Sequence, residues 1–570
     1  MSTPLEILRE VFGYTAFRGA QAEVVEHVAG GGDALVLMPT GGGKSLCYQV
    51  PAIARHRAGK GVAIVVSPLI ALMHDQVGAL EEAGVHAAFL NSSLSYEDAQ
   101  KVERELTSGA LVLLYAAPER VTMPRFLAQL DALYQRGQLG LFAIDEAHCV
   151  SQWGHDFRAD YLQLDVLHQR FPKVPRVALT ATADTTTQAD IVARLKLEQA
   201  RVFLSSFDRP NIRYTIVEKD SARAQLLRFI REEHNGDAGI VYCQSRKKVE
   251  DTAAWLAKEG IPALPYHAGL DAGERRRNQD RFIREEGLVM AATIAFGMGI
   301  DKPDVRFVAH LDLPKTVESY YQETGRAGRD GLPADAWMAY GLSDVVNQRR
   351  MIDEGPAGED YKRQQRGKLD ALLALAEAHD CRRVRLLAYF GEQSSPCGNC
   401  DNCLTPPTTW DGTEAARKAL SCVARFYQQN QGRFGVGHLI DVLRGKETEK
   451  VLDYRHQQLS TFGVGKDLSE GEWRSVIRQL VAAGHISAEG EFSTLSFTAS
   501  SWSVLRGELP LTLRKPSEGR RARAKTTRGK LTRDPLLPLD AQANARFSAL
   551  KEWRAGVARA HNLPAYVVFH

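Results

Sequence analysis

The chain has 570 residues, 44% of them hydrophobic and 25% charged, which is ordinary for a globular protein with room for about three to five domains. The formal net charge of only +3 excludes a strong overall attraction to nucleic acid and leaves any such affinity to local basic patches. The start MSTPLEILRE lacks the pattern of a signal peptide, and no apolar run approaches the roughly 20 residues of a membrane span, so we expect a cytoplasmic protein without membrane contact.

Two series of strand-like runs alternate with amphipathic helical stretches. The first series, within residues 1 to about 205, is ALVLM, VAIVVS, LVLLYA, LFAID and RVALTAT. After the break SSFDRPNIRY the second series is GIVYCQS, ALPYHAG, LVMAATIAFG and VRFVAHLDL. This alternation is typical of doubly wound parallel sheets. The sequence therefore predicts two similar α/β lobes with a cleft between them.

The segment LVLMPTGGGKS predicts a phosphate-binding loop between a strand and a helix. Its three glycines let backbone N–H groups close on phosphates, Lys44 adds a positive charge, and the Ser45 hydroxyl can hold Mg²⁺. The full phosphate-loop pattern has glycine where this chain has Met38, and the alternative interpretation is an ordinary strand-to-helix turn. The predicted nucleotide contacts of this loop are Thr40, Gly41, Gly42, Gly43, Lys44 and Ser45.

An acid pair follows the apolar run LFAI, which predicts a buried parallel strand. Open α/β sheets bind ligands at the carboxyl ends of their strands, where Asp145 and Glu146 would emerge. Asp145 can hold Mg²⁺ and Glu146 can act as general base toward an attacking water. An acid pair alone is more often a solvated turn, but the upstream phosphate loop favours the catalytic interpretation.

The second lobe carries the basic segment YYQETGRAGRDG. Arg326 and Arg329 lie three residues apart and can project into the predicted cleft, where an arginine stabilises charge on a transferred phosphoryl group. The alternative is a solvated basic surface.

Four of the eight cysteines lie close together in the sequence. PCGNCDNC contains two successive C-x-x-C steps, and a fourth cysteine precedes it, which predicts a tetrahedral Zn²⁺ site, although the spacing also allows an iron–sulfur cluster or unrelated thiols. Cys47, Cys149, Cys243 and Cys422 stand in apolar surroundings and are predicted core residues. The predicted zinc ligands are Cys381, Cys397, Cys400 and Cys403.

The last third of the chain predicts helices followed by two short strands in HISAEGEFSTLSFT, a pattern that suggests a winged helix. From Arg514 to Arg533 the chain is basic and poor in apolar residues, which favours a linker with incidental affinity for nucleic acid.

Several motifs in order resemble those of the RecQ helicases of superfamily 2, specifically the bacterial type. They are MPTGGGKSLCYQ, SPLIALMHDQ, YAAPER, DEAHCVSQWGHDFR, ALTATA, AFGMGIDKP and SYYQETGRAGRDG. The resemblance continues through the cysteine cluster into a region like the family's winged helix. Family members commonly lack the first glycine of the phosphate loop, which accounts for Met38.

The resemblance implies further nucleotide contacts. Gln21 is similar to the family's adenine-reading glutamine, with Tyr14 and Arg18 nearby, although Gly19 and Ala20 replace the usual Pro-Gly. Gln322 is positioned to sense the nucleotide, and Asp301 to meet the ribose.

SQWGHDFR resembles the family's aromatic-rich loop, which couples DNA binding to hydrolysis. The resemblance implies that Trp153 and Phe157 stack on unpaired bases and that Arg158 engages a phosphate or a base. His155 belongs to the same predicted DNA-binding group, with a structural histidine as its alternative. Composition alone would favour core positions for the two aromatics.

The resemblance also divides the chain. The expected units are a first RecA-like lobe (1–207), a second RecA-like lobe (208–340), a zinc-binding module (341–406), a winged helix (407–515), a basic linker (516–536) and an incomplete start of a helicase-and-RNase-D C-terminal domain (537–570). The last segment is too short to bury a core, so we assign it no DNA-binding function of its own.

The implied function is ATP-dependent 3′ to 5′ translocation on single-stranded DNA with unwinding of tailed or forked duplexes, in DNA repair and recombination. The implied cofactors are ATP, Mg²⁺ and Zn²⁺. We also expect the protein to be a monomer, to be located at the bacterial nucleoid, and to have single-stranded DNA-binding protein as a partner. The alternatives are an ATP-gated nucleic-acid binder without processive unwinding and, less favoured, an RNA helicase.

Overall fold

The computed structural model describes residues 2–92, 94–152, 156–296, 302–428, 434–489, 494–515, 541–560 and 568. Its first lobe is built on a seven-stranded parallel sheet in the order β3-β4-β2-β5-β6-β1-β7. The strands are β1 (Ala34–Leu37), β2 (Val62–Val66), β3 (Ala87–Leu90), β4 (Leu113–Ala116), β5 (Leu139–Ile144), β6 (Arg176–Thr180) and β7 (Arg201–Leu204). The helices are α1 (Pro4–Phe12), α2 (Gln21–Ala29), α3 (Leu46–Arg57), α4 (Ile70–Glu82), α5 (Tyr96–Ser108), α6 (Pro118–Val121), α7 (Pro124–Gln135), α8 (Val166–Arg170) and α9 (Thr185–Arg194).

The second lobe holds a six-stranded parallel sheet in the order β10-β11-β9-β12-β13-β8. Its strands are β8 (Ile212–Glu218), β9 (Gly239–Tyr242), β10 (Ala263–Tyr266), β11 (Val289–Ala292), β12 (Phe307–His310) and β13 (Ala334–Tyr340). Its helices are α10 (Ala222–Glu233), α11 (Arg246–Lys258), α12 (Ala272–Arg284) and α13 (Val317–Thr324).

Helices cover both faces of each sheet, so the central strands are buried on both sides and their sequences are continuous apolar runs. β1, β2, β5 and β6 are buried along their whole length. The prediction of two doubly wound lobes is confirmed.

The zinc-binding module is helical. It contains α14 (Leu342–Asp353), α15 (Glu359–Glu377), α16 (Arg382–Tyr389) and α17 (Asp401–Leu404). The Asp401 carboxylate receives the Arg382 guanidinium at 2.7 Å and the backbone N–H of Ile216 at 3.0 Å. Since Ile216 lies on β8, the edge strand of the second lobe, the module is fixed to that sheet.

The next unit combines helices with two pairs of antiparallel strands, one of which is the hairpin of the winged-helix prediction. Its helices are α18 (Thr413–Gln428), α19 (Val436–Arg444), α20 (Glu449–Asp453), α21 (Glu470–Ala482) and α22 (Ser501–Leu505). Its strands are β14 (Thr409–Asp411), β15 (Ile486–Glu489), β16 (Thr494–Phe497) and β17 (Thr512–Arg514). β15 pairs with β16 as the predicted hairpin, and β14 pairs with β17 to close the unit. Phe492, which we expect to be a strand core residue rather than a strand-parting wedge, lies outside the described residues.

A last helix, α23 (Ala541–Ala560), follows the basic segment. Its Arg554 forms an ion pair with Glu286 of the second lobe. Among the helices described, none is long and apolar enough to cross a membrane.

Candidate nucleotide, metal and DNA sites

The predicted phosphate loop connects the end of β1 to the start of α3. Gly41 and Gly43 adopt φ angles of +80° and +77°, which favour glycine. A Cβ atom on Gly42 would lie 2.7 Å from the Met38 side chain, so this position also has no room for a side chain. The loop thus presents bare backbone next to a helix N-terminus, the arrangement that binds phosphate groups.

Met38 replaces the first glycine of the phosphate-loop pattern without backbone strain. Its φ angle is not positive, and its side chain is buried against the loop. Its carbonyl accepts a hydrogen bond from Lys44 Nζ at 3.3 Å. Ser45 occupies the N-cap position of α3, but its hydroxyl does not cap the helix.

The Gln21 side chain joins the upstream loop to the phosphate loop. Its amide nitrogen donates to the Gly42 carbonyl at 2.9 Å, and its amide oxygen accepts from the backbone N–H of Arg18 at 2.8 Å. Tyr14 and Arg18 are exposed in the loop that precedes Gln21. Gly19 adopts φ +49°, which proline cannot reach, so the replacement of Pro-Gly gives this loop a different turn.

The acid pair emerges at the carboxyl end of β5, separated from the phosphate loop by β6. Burial raises the pKa of Asp145 to about 7, with a further contribution from Glu146, while Lys44 opposes the shift. Two carboxylates in this position are suited to a divalent cation, which would keep Asp145 ionised.

Glu146 is held by contacts that the sequence does not reveal. Its backbone has φ +48°, in the left-handed region, and its N–H donates to Asp145 Oδ1 at 2.9 Å. The Nδ1 of buried His148 lies 3.3 Å from Glu146 Oε2 and 2.9 Å from the hydroxyl of Thr180, the last residue of β6. His148 therefore lies between the general-base candidate and the neighbouring strand, to which it is hydrogen-bonded.

Arginine side chains bring the second lobe to the phosphate loop. The Cγ atom of Arg329 lies 3.4 Å from the place that a Cβ on Gly41 would occupy. Arg326 is instead buried within the second lobe and bonds the hydroxyl of Tyr242. Gln322 is buried on α13, while Asp301 lies outside the described residues.

Arg209, in the linker between the lobes, was missed by sequence reasoning. Its Nη1 donates to the carbonyls of Thr40 at 2.8 Å and Gly325 at 3.0 Å. Its Nη2 donates to the carbonyls of Ala327 and Gly328, both at 2.9 Å. One guanidinium thus joins the phosphate loop to the segment that contains Arg326 and Arg329. Its sequence context, SSFDRPN, reads as a domain break and gives no signal of this contact.

The four clustered cysteines meet in space. All four sulfur atoms lie within 4.8 Å of one another, and the Cys397–Cys403 and Cys381–Cys400 pairs are each 4.0 Å apart. Tetrahedral zinc with Zn–S bonds of about 2.3 Å requires sulfur atoms about 3.8 Å apart. Burial raises the pKa of Cys397 to about 12, whereas backbone N–H donors of Val384 and Cys397 lower the pKa of Cys381 to about 7 despite its burial, so the full set of thiolates depends on the charge of a bound metal. The donor set fits Zn²⁺.

The predicted DNA-binding loop is described in part. Trp153 and His155 lie outside the described residues, while Phe157 is 38% exposed. Arg158 forms an ion pair with Asp156 and donates to the Pro68 carbonyl at 3.0 Å. Phe157 is thus accessible to a base, whereas Arg158 already has partners within the chain.

Four family models match successive segments that together cover most of the chain. They are the DEAD/DEAH box helicase over residues 18–191, the helicase conserved C-terminal domain over 221–331, RecQ zinc-binding over 342–404 and the RQC domain over 406–522.

Relatives match over the full chain. It is 46% identical to the ATP-dependent DNA helicase RecQ of Pasteurella multocida, covering 100% of this chain and 87% of the relative. The chain belongs to the RecQ family of ATP-dependent DNA helicases. The chain is 36% identical to the ATP-dependent DNA helicase RecQ of Bacillus subtilis, and the match covers 99% of this chain and 90% of the relative. Family membership and the four-cysteine site together make ATP, Mg²⁺ and Zn²⁺ the cofactors and DNA the substrate.

More distant solved structures share the fold. The DUF1998 helicase MrfA bound to DNA has a TM-score of 0.51 at 18% identity, over 70% of this chain and 59% of its own. Mss116p bound to single-stranded RNA and AMP-PNP has a TM-score of 0.50 at 14% identity, over 84% of this chain and 89% of its own. At these identities the likeness shows the fold alone.

Proposed function

We propose that this RecQ-family chain hydrolyses ATP in the cleft between its lobes, moves 3′ to 5′ on single-stranded DNA and unwinds tailed or forked duplexes. The observation that supports the hydrolytic part is the approach of the Arg329 side chain to the phosphate loop, which is consistent with one nucleotide site shared by both lobes. The polarity rests on the family resemblance. The domain boundaries predicted from the sequence belong to the same proposal.

Each part of the site has a proposed role. The glycines of the phosphate loop and Lys44 bind the phosphates, and Gln21 reads adenine after exchanging its present bonds for the base. Mg²⁺, when bound by Ser45 and Asp145, supplies charge neutralisation at the phosphates. Glu146 orients the attacking water and accepts its proton, with His148 Nδ1 lying 3.3 Å from its Oε2. Arg329 stabilises charge that develops on the transferred phosphoryl group, with Arg326 behind it and Gln322 sensing the nucleotide.

DNA contacts are proposed for the aromatic-rich loop, which follows the acid pair directly in the sequence. Phe157 is exposed and can stack on a base, and Trp153 and His155 are proposed beside it. Arg158 would leave Asp156 to reach a phosphate, which makes its contact conditional on bound DNA.

Strand displacement tests the function. We expect ATP and Mg²⁺ to support opening of a short duplex with a 3′ single-stranded tail, and little opening of the same duplex with a 5′ tail. DNA-stimulated hydrolysis without opening of either substrate would support the second candidate, an ATP-gated binder. Opening of the 5′-tailed substrate alone would overturn the polarity.

Arg209→Lys tests the contact between the lobes. Lysine keeps the charge but cannot supply the four hydrogen bonds of the guanidinium fork, so we expect kcat for DNA-stimulated hydrolysis to fall about tenfold or more. Steady-state ATPase assays with single-stranded DNA measure this. Arg228→Lys on α10, an exposed position, is the matched control and should retain normal kcat. Equal rates for both variants would remove Arg209 from the catalytic arrangement.

The oligomeric state, the pathway, the location and the protein partner are also proposals. We infer a monomer that acts in DNA repair and recombination in the bacterial cytoplasm, at the nucleoid, with single-stranded DNA-binding protein as a partner. Light scattering should give a mass near the 63.0 kDa of one chain, and a value near twice that would contradict the monomer.

A further inference from the structure

A buried lysine of the zinc-binding module connects the two lobes. Lys368 lies on α15 with 5% of its surface exposed. Its Nζ is 2.5 Å from Glu318 Oε1 on α13 of the second lobe and 3.7 Å from Asp184 Oδ2 of the first lobe. We call Asp184, Lys368 and Glu318 the interlobe triad.

Asp184, the first-lobe member of the triad, is connected to the acid pair by the residues that follow β6. Asp184 is the N-cap of α9, where its Oδ1 accepts from the Thr187 N–H at 2.7 Å. It follows Thr180, whose hydroxyl bonds His148 beside Glu146, by four residues. A short segment from Asp184 to Thr180, followed by His148, therefore connects the triad to the residue proposed as general base.

The second-lobe member begins the helix that leads to the cleft arginines. Glu318 lies in the first turn of α13, which carries Gln322 and ends shortly before Arg326 and Arg329. Although burial opposes it, the Lys368 ammonium holds the pKa of Glu318 below its usual value. Tyr389 of α16 also hydrogen-bonds Glu318. Glu318 is thus an ionised carboxylate held firmly by the zinc-binding module.

The same module holds the linker between the lobes. Glu392 accepts hydrogen bonds from the Ser206 hydroxyl at 2.6 Å and the Phe207 N–H at 2.8 Å. Arg383 Nη2 donates to the Ile212 carbonyl at 2.7 Å. The Phe207 ring stacks on Phe390 at 4.8 Å. The module is therefore joined to the linker and the second lobe by several contacts, while the Lys368–Asp184 ion pair connects it to the first lobe at α9.

The two ion pairs of Lys368 differ in burial. Glu318 has a side-chain exposure of 2%, and loss of Lys368 would leave its charge buried without a counter-ion. Asp184 has a side-chain exposure of 19% and a longer contact, so its charge can be removed while the Lys368–Glu318 pair stays intact. The Asp184 contact is the one that depends on how the lobes are oriented.

We propose that Lys368 is a positioning residue whose ion pair with Asp184 stabilises the closed arrangement of the lobes in which Arg329 meets the phosphate loop. This inference rests on the proposed hydrolysis of ATP in that cleft. When the lobes separate, Asp184 leaves Lys368 and is solvated, while Lys368 keeps Glu318. The zinc-binding module thereby contributes to ATP turnover without touching the nucleotide.

Asp184→Asn tests the proposal. Asparagine retains the N-cap of α9, so the melting temperature should change by no more than about 2 °C, while the interlobe charge is lost. We expect kcat for hydrolysis stimulated by single-stranded DNA to fall about five- to tenfold, the lower part of the usual range for coupling between sites, with little change in KM for ATP or in zinc content. Asp184→Glu keeps the carboxylate charge and should retain most of the wild-type kcat, although glutamate is a poorer N-cap and should lower the melting temperature slightly.

Asp190→Asn is the matched control, because Asp190 lies on the same helix and pairs with Arg194 inside the first lobe at 2.6 Å. It should leave kcat unchanged. If Asp184→Asn hydrolyses ATP as fast as Asp190→Asn, or loses kcat only together with zinc or melting temperature, the proposal is wrong.

A second measurement separates this inference from the proposed function. Dyes placed through non-natural amino acids at the exposed positions Tyr96 and Lys258 report the distance between lobes by energy transfer. With single-stranded DNA and a non-hydrolysable ATP analogue, Asp184→Asn should populate the closed state less than Asp190→Asn does. Equal populations of the closed state in the two variants would overturn the proposed role of the Lys368–Asp184 ion pair, even if the wild type unwinds DNA. Absence of wild-type ATP hydrolysis would overturn the proposed function and leave this comparison valid.

Discussion

Glu146→Gln should bind ATP and lose its hydrolysis, with kcat reduced at least about 100-fold. The glutamine side chain has nearly the same size but cannot accept the proton of the attacking water. The phosphate loop is unaffected by the substitution, so nucleotide affinity should stay within about threefold of the wild type. Single-turnover hydrolysis and equilibrium binding of a fluorescent ATP analogue measure the two quantities separately.

The control for this prediction is Glu81→Gln, at an exposed position in the last turn of α4. It should hydrolyse ATP at the wild-type rate. If Glu146→Gln retained more than about a tenth of wild-type kcat, the general base would have to be another group. A parallel loss of ATP binding would instead indicate that the left-handed backbone at Glu146 tolerates no change of side chain.

Cys400→Ser should remove the metal and destabilise the zinc-binding module. Cys400 is fully buried, and a serine hydroxyl does not replace a thiolate ligand. Structural zinc contributes about 10–16 kcal/mol to the folding of small zinc domains, so loss of a ligand should lower the first unfolding transition by about 10 °C or more. Unwinding should be lost with it, because the module holds the interlobe linker. Metal analysis and calorimetry measure these effects.

Cys422→Ser provides the same chemical change at another fully buried cysteine, outside the cluster. It should retain about one zinc per chain. Equal zinc content in the two variants would exclude Cys400 as a ligand. Iron together with visible absorbance in the wild type would replace zinc by an iron–sulfur cluster.

The central strands could be predicted from the sequence because burial on both faces leaves an uninterrupted apolar run, as in VAIVV of β2. β8 was missed because it alternates buried and half-buried residues at the sheet edge, and β7 because three of its four residues are exposed. β13 is buried nearly throughout, but its alanines do not distinguish a strand from a helix.

The site also has parts that could be predicted from the sequence and parts that could not. The phosphate loop, the acid pair and the four cysteines are local in sequence, and each carries a spacing that the chemistry requires. Arg209 contacts carbonyls 169 and 116 residues away, and Lys368 contacts Glu318 across 50 residues, so no local pattern marks either one. Such contacts are formed only by the assembled lobes.

The hold of Arg383 and Glu392 on the interlobe linker also determines where the chain can be cut. A fragment that ended after β13 would keep both nucleotide-binding lobes but would expose the carbonyl of Ile212 and the N–H groups of Phe207 and Ile216 to water. The linker would then depend on the hydrogen bonds of Arg209 and on the Tyr321 hydroxyl at the Phe207 carbonyl to hold its position between the lobes. We therefore expect a fragment that keeps the zinc-binding module to hold its two lobes in position better than one that ends after β13.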